Sequence, residues 1–324
     1  MSSKLDLAVP GTTVDRQCGS SLQAIQFGAQ AVMSGTQDVI ISGGVEAMST
    51  VEMGSNVRDG LANGRGIPKG ERLEIQYPGI QFSQFDGAEL LAEKYEITRD
   101  ELDAFALSSH QRAWEATQKG YFEKEIVPLN IKLEDGTADV HKVDEGIRPE
   151  ASLEGLQGLN VLREGGVITA GSASQISDGA AAILIANEGA VKKHGLQVRA
   201  KIHSLAVVGS DPVIMLEGPI PATIKVLEKA GLSIDDIDLY EVNEAFGSVP
   251  LAWAKAVGAD LSKLNVNGGA QALGHPLGGT GAKLMTTLVH ELERRGGRYG
   301  LIAICEGGGT ANAMIIERMS EVSH

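Results

Sequence analysis

The pattern of apolar and polar residues divides the chain into two regular regions with an irregular one between them. Near the start, apolar positions at helical spacing predict a helix over residues 19–34, and a short apolar run predicts a buried strand over 37–42. From residue 179 onwards, apolar runs alternate with helical patterns. This alternation favours an α/β fold in which mostly parallel strands are covered by helices.

The later region contains six predicted strands and four predicted helices. The strands are expected over residues 179–187, 199–208, 237–242, 264–267, 299–305 and 311–318. The first of them reads as a buried strand. The helices are expected over residues 188–195, 220–230, 245–257 and 279–295.

The middle region, residues 50–165, is charged and rich in Gly and Pro. Its pattern predicts two helices, over 87–95 and 99–119, and Thr98 with Glu101 forms a candidate capping box before the second. We interpret this region as a long insertion between sheet elements.

The two regular regions share an order of elements. Residues 13–44 run strand, polar loop, helix, strand and Gly-Gly, and residues 264–308 run the same way. This similarity predicts one half-fold used twice, with generic α/β patterning as the alternative. Two further strand–helix units precede the second copy, over residues 199–263, whereas only residues 1–11 precede the first. If the halves are equivalent, the first half lacks two such units.

Composition narrows the class of protein. The 324 residues suffice for two moderate domains or one large one, and 41 glycines with 4% aromatic residues suit an α/β fold. The net charge of −14 argues against nucleic acid or an anionic membrane as the main partner. The absence of any apolar run of about 18 residues predicts no membrane span. Two cysteines form no disulfide framework, which indicates a reducing compartment.

Cys18 lies where a β-prone run, residues 12–14, meets the predicted helix that begins near Gly19. The free N–H groups and the dipole at a helix N-terminus favour a thiolate, which is the nucleophilic form of cysteine. A buried core cysteine is the alternative, because that is the usual setting of a lone Cys.

Three other candidates lie at predicted strand ends or in glycine-rich loops. His275 lies in the loop 265–279, where histidine is suited to moving protons. Cys305 ends a strand before a glycine turn whose N–H groups can bind an oxyanion. Asn243 ends another strand and can hold a water or a carbonyl, with a helix-capping role as the alternative. The cysteines lack the spacing of metal ligands, so no metal site is predicted.

Four motifs, in this order, resemble those of the thiolases, the acetyl-CoA C-acyltransferases. They are Arg16-Gln17-Cys18-Gly19-Ser20, Asn243-Glu244-Ala245-Phe246, Gly274-His275-Pro276-Leu277-Gly278 and Cys305-Glu306-Gly307-Gly308-Gly309. The resemblance covers nearly the whole chain. It implies thiolase-like duplicated βαβαβαββ halves in α/β/α/β/α layers, with an incomplete N-terminal half. The N-terminal half would span residues 1–48 and continue at 166–198, the loop domain 49–165, and the C-terminal half 199–324.

The resemblance also implies catalytic roles. Cys18 would take the acyl group as a thioester, His275 would deprotonate Cys18, and Cys305 would be the second acid/base. Asn243 would position a water in one oxyanion hole, and the N–H groups of Cys18 and Gly307 would form the other. The implied reaction is CoA-dependent cleavage of a 3-ketoacyl-CoA, or the reverse Claisen condensation.

For binding, the resemblance implies that Ser174, in the segment that begins Thr169-Ala170-Gly171, touches the pantetheine arm of CoA. Arg148 would lie near the adenine end, and Phe246 beside the substrate. Coenzyme A would be a co-substrate, with no permanently bound cofactor. A homodimer or homotetramer in the cytoplasm is expected, although an organellar signal could have been lost with the missing N-terminal units.

Three other functions stay open at this point. A decarboxylating ketosynthase shares the fold but typically lacks a second catalytic cysteine, so Cys305 before Gly307 favours a thiolase. A cysteine hydrolase would pass the acyl group to water. A chain without its first strand–helix units could be catalytically impaired and serve only to pair with full-length subunits.

Overall fold

The computed structural model of the protein describes residues 4–319, and its first elements are a helix and a strand. A 3-10 turn at Gln17–Gly19 leads into α1 (Ser20–Met33), and β1 (Val39–Ala47) follows. Both elements were predicted, but β1 continues through the glycine pair that was expected to end it. The β-prone residues 12–14 form no strand.

The middle region is more structured than its sequence pattern suggests. It contains five helices and a hairpin: α2 (Ser55–Ala62), α3 (Glu71–Gln76), α4 (Gln84–Lys94), α5 (Arg99–Gln118), β2 (Leu129–Lys132), β3 (Ala138–His141) and α6 (Leu153–Gln157). The predicted capping box is confirmed, since the Glu101 carboxylate accepts a bond of 2.7 Å from the N–H of Thr98 and the Thr98 side chain accepts from the N–H of Glu101. The unpredicted helices are short and bury few side chains, so they leave no apolar period in the sequence.

The remaining elements alternate as predicted. They are β4 (Asp178–Ala186), α7 (Glu188–His194), β5 (Ala200–Gly209), α8 (Pro219–Ala230), β6 (Leu239–Val242), α9 (Ser248–Val257), α10 (Ala270–Leu273), α11 (Thr280–Arg295), β7 (Tyr299–Glu306) and β8 (Thr310–Arg318). The strand predicted over 264–267 is wrong, because these residues form only isolated bridges. Asn265 has a φ of +45°, which interrupts extended pairing there.

The sheets are mainly antiparallel, so the prediction of mostly parallel strands is wrong. The four-stranded sheet has the order β5-β8-β7-β6, and β6 with β7 is its parallel pair. In the other long sheet β1 pairs with β4 in antiparallel register. A tight turn with positive φ at Gly308 and Gly309 joins β7 to β8, which makes that pair antiparallel.

The predicted repeat corresponds to two similar units. The unit of α1, β1 and β4 resembles the unit of α11, β7 and β8, and each ends in an antiparallel pair. The helices α1 and α11 pack closely, since a Cβ on Gly281 would lie 2.3 Å from the backbone nitrogen of Leu22. The N–H of Ala282 donates to Ser21 Oγ at 3.0 Å across the same contact. The two units therefore meet along these helices.

The core consists of layers, as the predicted duplicated α/β architecture requires. The helices α1 and α11 fill the space between the β1–β4 sheet and the four-stranded sheet. On the other face of the four-stranded sheet, α8 and α9 cover a second core that includes Trp253 and Tyr240. The outer face of the β1–β4 sheet is open, with Ile41 54% and Leu184 52% exposed. The expectation of a buried strand over 179–187 therefore holds for one face of β4 only.

Candidate active site

The first cysteine lies in a tightly held turn. Cys18 is 3% exposed and belongs to the 3-10 turn that precedes α1. Ser20 Oγ accepts a bond of 2.8 Å from the N–H of Arg16 and donates one of 2.7 Å to the carbonyl of Gln17. Gln17 has a φ of +52°, a conformation that non-glycine residues seldom adopt. These contacts fix Cys18 at the N-terminus of the helix, as the sequence indicated.

The histidine of the glycine-rich loop is held in one orientation. His275 is buried, and its Nδ1 lies 2.6 Å from Thr280 Oγ1. Thr280 donates its single hydroxyl hydrogen to the carbonyl of Pro276 at 2.9 Å, so the hydrogen between ring and hydroxyl belongs to Nδ1. Nε2 therefore carries the lone pair, and the side-chain amide of Asn243 donates to it at 3.2 Å.

Asn243 follows β6, and its backbone N–H donates to the carbonyl of Ala303 at 3.1 Å. Its side-chain oxygen Oδ1 is buried and has no hydrogen-bond partner within residues 4–319. It does not cap the next helix, because the N-cap of α9 is Gly247. A buried acceptor without a partner suits a water molecule or a ligand donor.

The second cysteine lies next to the first. Cys305 is 1% exposed at the end of β7, and the turn of Cys18 packs both on this strand end and on the turn Leu277–Gly279 that follows His275. The pKa of Cys305 is raised well above its usual value by burial and, in addition, by the charge that Cys18 can carry. The two cysteines therefore lie close together, although one is in the turn before α1 and the other at the end of β7.

The protonation of the site differs from the sequence prediction of a thiolate. Burial, with the charge of Glu306 adding to it, raises the pKa of Cys18 to about 12. Burial, with Lys283 adding to it, lowers the pKa of His275 to about 3. Desolvation therefore outweighs the helix dipole, because burial penalises every charged form. At neutral pH the Cys18 thiol and the His275 imidazole are therefore both uncharged.

Gly307 begins the turn between β7 and β8 and contacts the nucleophile turn directly. A Cβ at this position would lie 1.7 Å from Gln17 Oε1. The missing side chain at Gly307 therefore leaves room for the side-chain amide of Gln17 beside this turn.

The three predicted CoA contacts lie in different settings. Ser174 is half-buried, and its N–H donates to the carbonyl of Ala245 at 3.0 Å. Phe246 is buried and makes an edge-to-face contact with Phe85, with ring centroids 5.4 Å apart. Arg148 is exposed in the middle region, and none of the contacts described for residues 4–319 joins it to the cysteines.

Sequence reasoning missed residues that hold the site together. Glu244, inside a quoted motif, accepts hydrogen bonds from Ser109 Oγ, Asn265 Nδ2 and the N–H of Gln271, and so anchors the loop that carries the histidine. Thr280 was hidden as the second residue of the helix predicted over 279–295. Arg16 and Glu306 pair across the molecule, and no local pattern signals this contact.

Two protein-family models together match almost the whole chain. The chain matches the family model described as "Thiolase, N-terminal domain" over residues 1–189 and that described as "Thiolase, C-terminal domain" over 196–318. The chain belongs to the thiolase family. Enzymes of this family are acyltransferases, and the thiolase motifs of the sequence are those whose side chains converge here.

The alignments with known thiolases span almost all of this chain. A steroid 3-ketoacyl-CoA thiolase from Mycobacterium tuberculosis is 56% identical, over 96% of this chain and 75% of the relative. The crystal structure of human mitochondrial 3-ketoacyl-CoA thiolase matches with a TM-score of 0.85 at 43% identity, over 96% of this chain and 79% of the human one. The human protein in complex with CoA matches with a TM-score of 0.82 at 42% identity, over 95% of this chain and 77% of that one.

Proposed function

We propose that this thiolase cleaves a 3-ketoacyl-CoA with coenzyme A, giving acetyl-CoA and a shortened acyl-CoA, and that it can run the reverse condensation. The observation that carries the proposal is that the turn of Cys18 packs both on the strand end that carries Cys305 and on the turn that follows His275, whose ring is held by Thr280 and Asn243. The relatives support it, because those compared are named 3-ketoacyl-CoA thiolases.

In the first half-reaction Cys18 Sγ attacks the 3-keto carbon while His275 Nε2 takes the thiol proton. Because both groups are uncharged at rest, proton transfer accompanies formation of the C–S bond. The C2–C3 bond then breaks, its electron pair leaves on acetyl-CoA, and Cys305 supplies the proton to that carbanion. The acyl group remains on Cys18 as a thioester.

In the second half-reaction the Cys305 thiolate takes the proton of incoming CoA. The CoA sulfur attacks the thioester carbonyl, and Cys18 leaves and recovers its proton from His275. Oxygen charge develops in both halves. The orphan Oδ1 of Asn243 suits a bound water that donates to one oxyanion, and the N–H groups of Cys18 and Gly307 serve the other.

Binding and assembly belong to the same proposal. Ser174 would contact the pantetheine arm, Phe246 the acyl-side wall and Arg148 the adenine end of CoA. The division into the three predicted parts, a homodimer or homotetramer, and a cytoplasmic location stay predictions. Within residues 4–319 no helix is long and apolar enough to cross a membrane, and no group of three or more acidic, histidine or cysteine side chains is arranged to hold a metal ion.

The test is thiolysis of acetoacetyl-CoA, followed by loss of its absorbance, in the wild type and in Cys18→Ala. We expect turnover in the wild type and a loss of at least about a thousandfold in the variant, because the covalent route is closed. A steroid 3-ketoacyl-CoA and a straight-chain one, compared by kcat/KM, would test the substrate class that the mycobacterial relative's name suggests.

Each alternative function has its own outcome in the same experiment. Turnover in Cys18→Ala equal to that of the wild type would overturn the thiolase proposal. No turnover in either protein would favour a chain that serves only to pair with full-length subunits. Mass spectrometry of the protein mixed with acetyl-CoA should show an acetyl group on Cys18 that CoA removes. Removal by water alone would indicate a hydrolase, and decarboxylation of malonyl-CoA a ketosynthase.

A further inference from the structure

Glu306 follows the second cysteine directly and takes no part in the steps above. Its side chain is 1% exposed, and Oε2 accepts hydrogen bonds from Arg16 Nε at 2.7 Å and from Thr310 Oγ1 at 2.6 Å. The other oxygen, Oε1, is buried and has no hydrogen-bond partner in the described part of the chain. A buried carboxylate with an unsatisfied oxygen is unfavourable for folding, so a role in the site is indicated.

The carboxylate lies against the nucleophile turn. A Cβ on Gly19 would lie 2.0 Å from Glu306 Oε1, so this oxygen contacts the residue that follows Cys18. Arg16 stands two residues before Cys18. The ion pair therefore joins the end of β7 to the N-terminus of α1, where both cysteines lie.

The charge of Glu306 acts on both sulfurs. It raises the pKa of Cys18 and of Cys305, in each case in addition to burial. Glu46 on β1 also faces Cys18 and raises its pKa to a smaller extent. A negative group beside the nucleophile opposes loss of its proton, and the guanidinium of Arg16 at 2.7 Å offsets that effect.

We propose that Arg16 and Glu306 are positioning residues that act as a unit: the carboxylate fixes the nucleophile turn against β7, and the guanidinium, paired with that carboxylate, partly offsets its charge at Cys18. This inference rests on the proposed role of Cys18 as the nucleophile. Neither residue forms or breaks a bond in the substrate.

The test measures the rate at which iodoacetamide alkylates Cys18 between pH 7 and 10, with mass spectrometry separating Cys18 from Cys305. Because the thiolate is the reactive form, the rate reports its population. At pH 8.5 we expect Arg16→Met to slow alkylation about tenfold and Glu306→Gln to speed it about tenfold, which corresponds to one pKa unit in each direction. The double variant should return to near the wild-type rate.

A matched ion pair elsewhere supplies the control. Arg99 donates to buried Asp103 at 2.7 Å, with side chains 23% and 0% exposed against 29% and 1% for Arg16 and Glu306. Arg99→Met should lower the melting temperature and leave the pH profile of alkylation unchanged. If Arg99→Met shifts the profile as Arg16→Met does, or if Glu306→Gln fails to restore the rate in the Arg16→Met background, the proposal is wrong. Alkylation needs no turnover, so failure of the thiolase assay is a separate result.

Discussion

At the scale of single residues, the base of the site is oriented by a hydroxyl group. Thr280 Oγ1 accepts a hydrogen bond from His275 Nδ1 and donates one to the carbonyl of Pro276. The lone pair of the ring is therefore on Nε2, which faces Asn243. A ring without this contact can rotate or change tautomer, and either change would remove the Nε2 acceptor that the proposed mechanism requires.

The first prediction concerns Thr280→Val, which keeps the shape of the side chain and removes the hydroxyl. We expect kcat for acetoacetyl-CoA thiolysis to fall at least about tenfold, because a misdirected base loses part of its contribution. Thr286→Val is the control, since Thr286 Oγ1 donates only to the Ala282 carbonyl in the same helix. Wild-type kcat in Thr280→Val would contradict the orienting role.

Residue type and place in the sequence were sufficient to select Cys18, His275, Asn243 and Cys305 as candidates, because each lies at the start of a helix, at a strand end or in a glycine-rich loop. They were insufficient to predict the ionisation of Cys18. Its pKa depends on burial and on Glu306, and that carboxylate pairs with a residue 290 positions away in the sequence. Contacts of this kind arise only when the two halves pack.

At the scale of elements, the site depends on how closely two helices approach. The helix α1 carries the nucleophile turn, and α11 follows the histidine loop. Their contact lies at Gly281, where there is no room for a side chain beside the backbone of Leu22. Because Gly281 has no Cβ, the backbones of α1 and α11 can approach this closely. Their separation in turn sets the distance between the catalytic turns.

Gly281→Ala should force the helices apart. We expect a loss of about 1–3 kcal/mol in the free energy of unfolding, read from urea denaturation, together with a lower kcat. Gly60→Ala, inside α2, is the control, because the nearest atom to its Cβ would be a comfortable 3.5 Å away. That control should be neutral or slightly stabilising, since alanine favours a helix. An unchanged unfolding midpoint in Gly281→Ala would show that the contact is looser than described.

The helices and most strands were predictable from the sequence because apolar periodicity reports them directly. Strand direction was not, since an apolar run reads the same for a parallel and an antiparallel strand. The turn at Gly308 and Gly309 was visible as a glycine cluster, but its role in reversing the chain between β7 and β8 appears only with the register. The short helices of the middle region lacked a periodic signal altogether.

At the scale of the whole molecule, the two sheets differ in how they are covered. The strands β6 and β7 are buried along nearly their whole length, with helices on both faces of the sheet. The β1–β4 sheet is packed on one face and open on the other. Local opening is easier where fewer apolar contacts must be broken.

Native-state hydrogen exchange should therefore separate the strands of this thiolase into three classes by the exchange rate of their amides. We expect amides of β7 to exchange slowest and those of β1 and β4 at least about a hundredfold faster, with the exposed β2–β3 hairpin fastest of all. Equal protection of β1 and β7 would contradict this and would indicate that a second copy covers the open face in solution.

The neutral state of the buried sulfur and ring also bears on chemical vulnerability. Peroxides and other small oxidants attack sulfur mainly in its anionic form. Because Cys18 stays protonated until the substrate binds in the proposed mechanism, these oxidants find little thiolate to attack in the free enzyme. The raised pKa of Cys18 is therefore expected to slow oxidation of the nucleophile in the free enzyme.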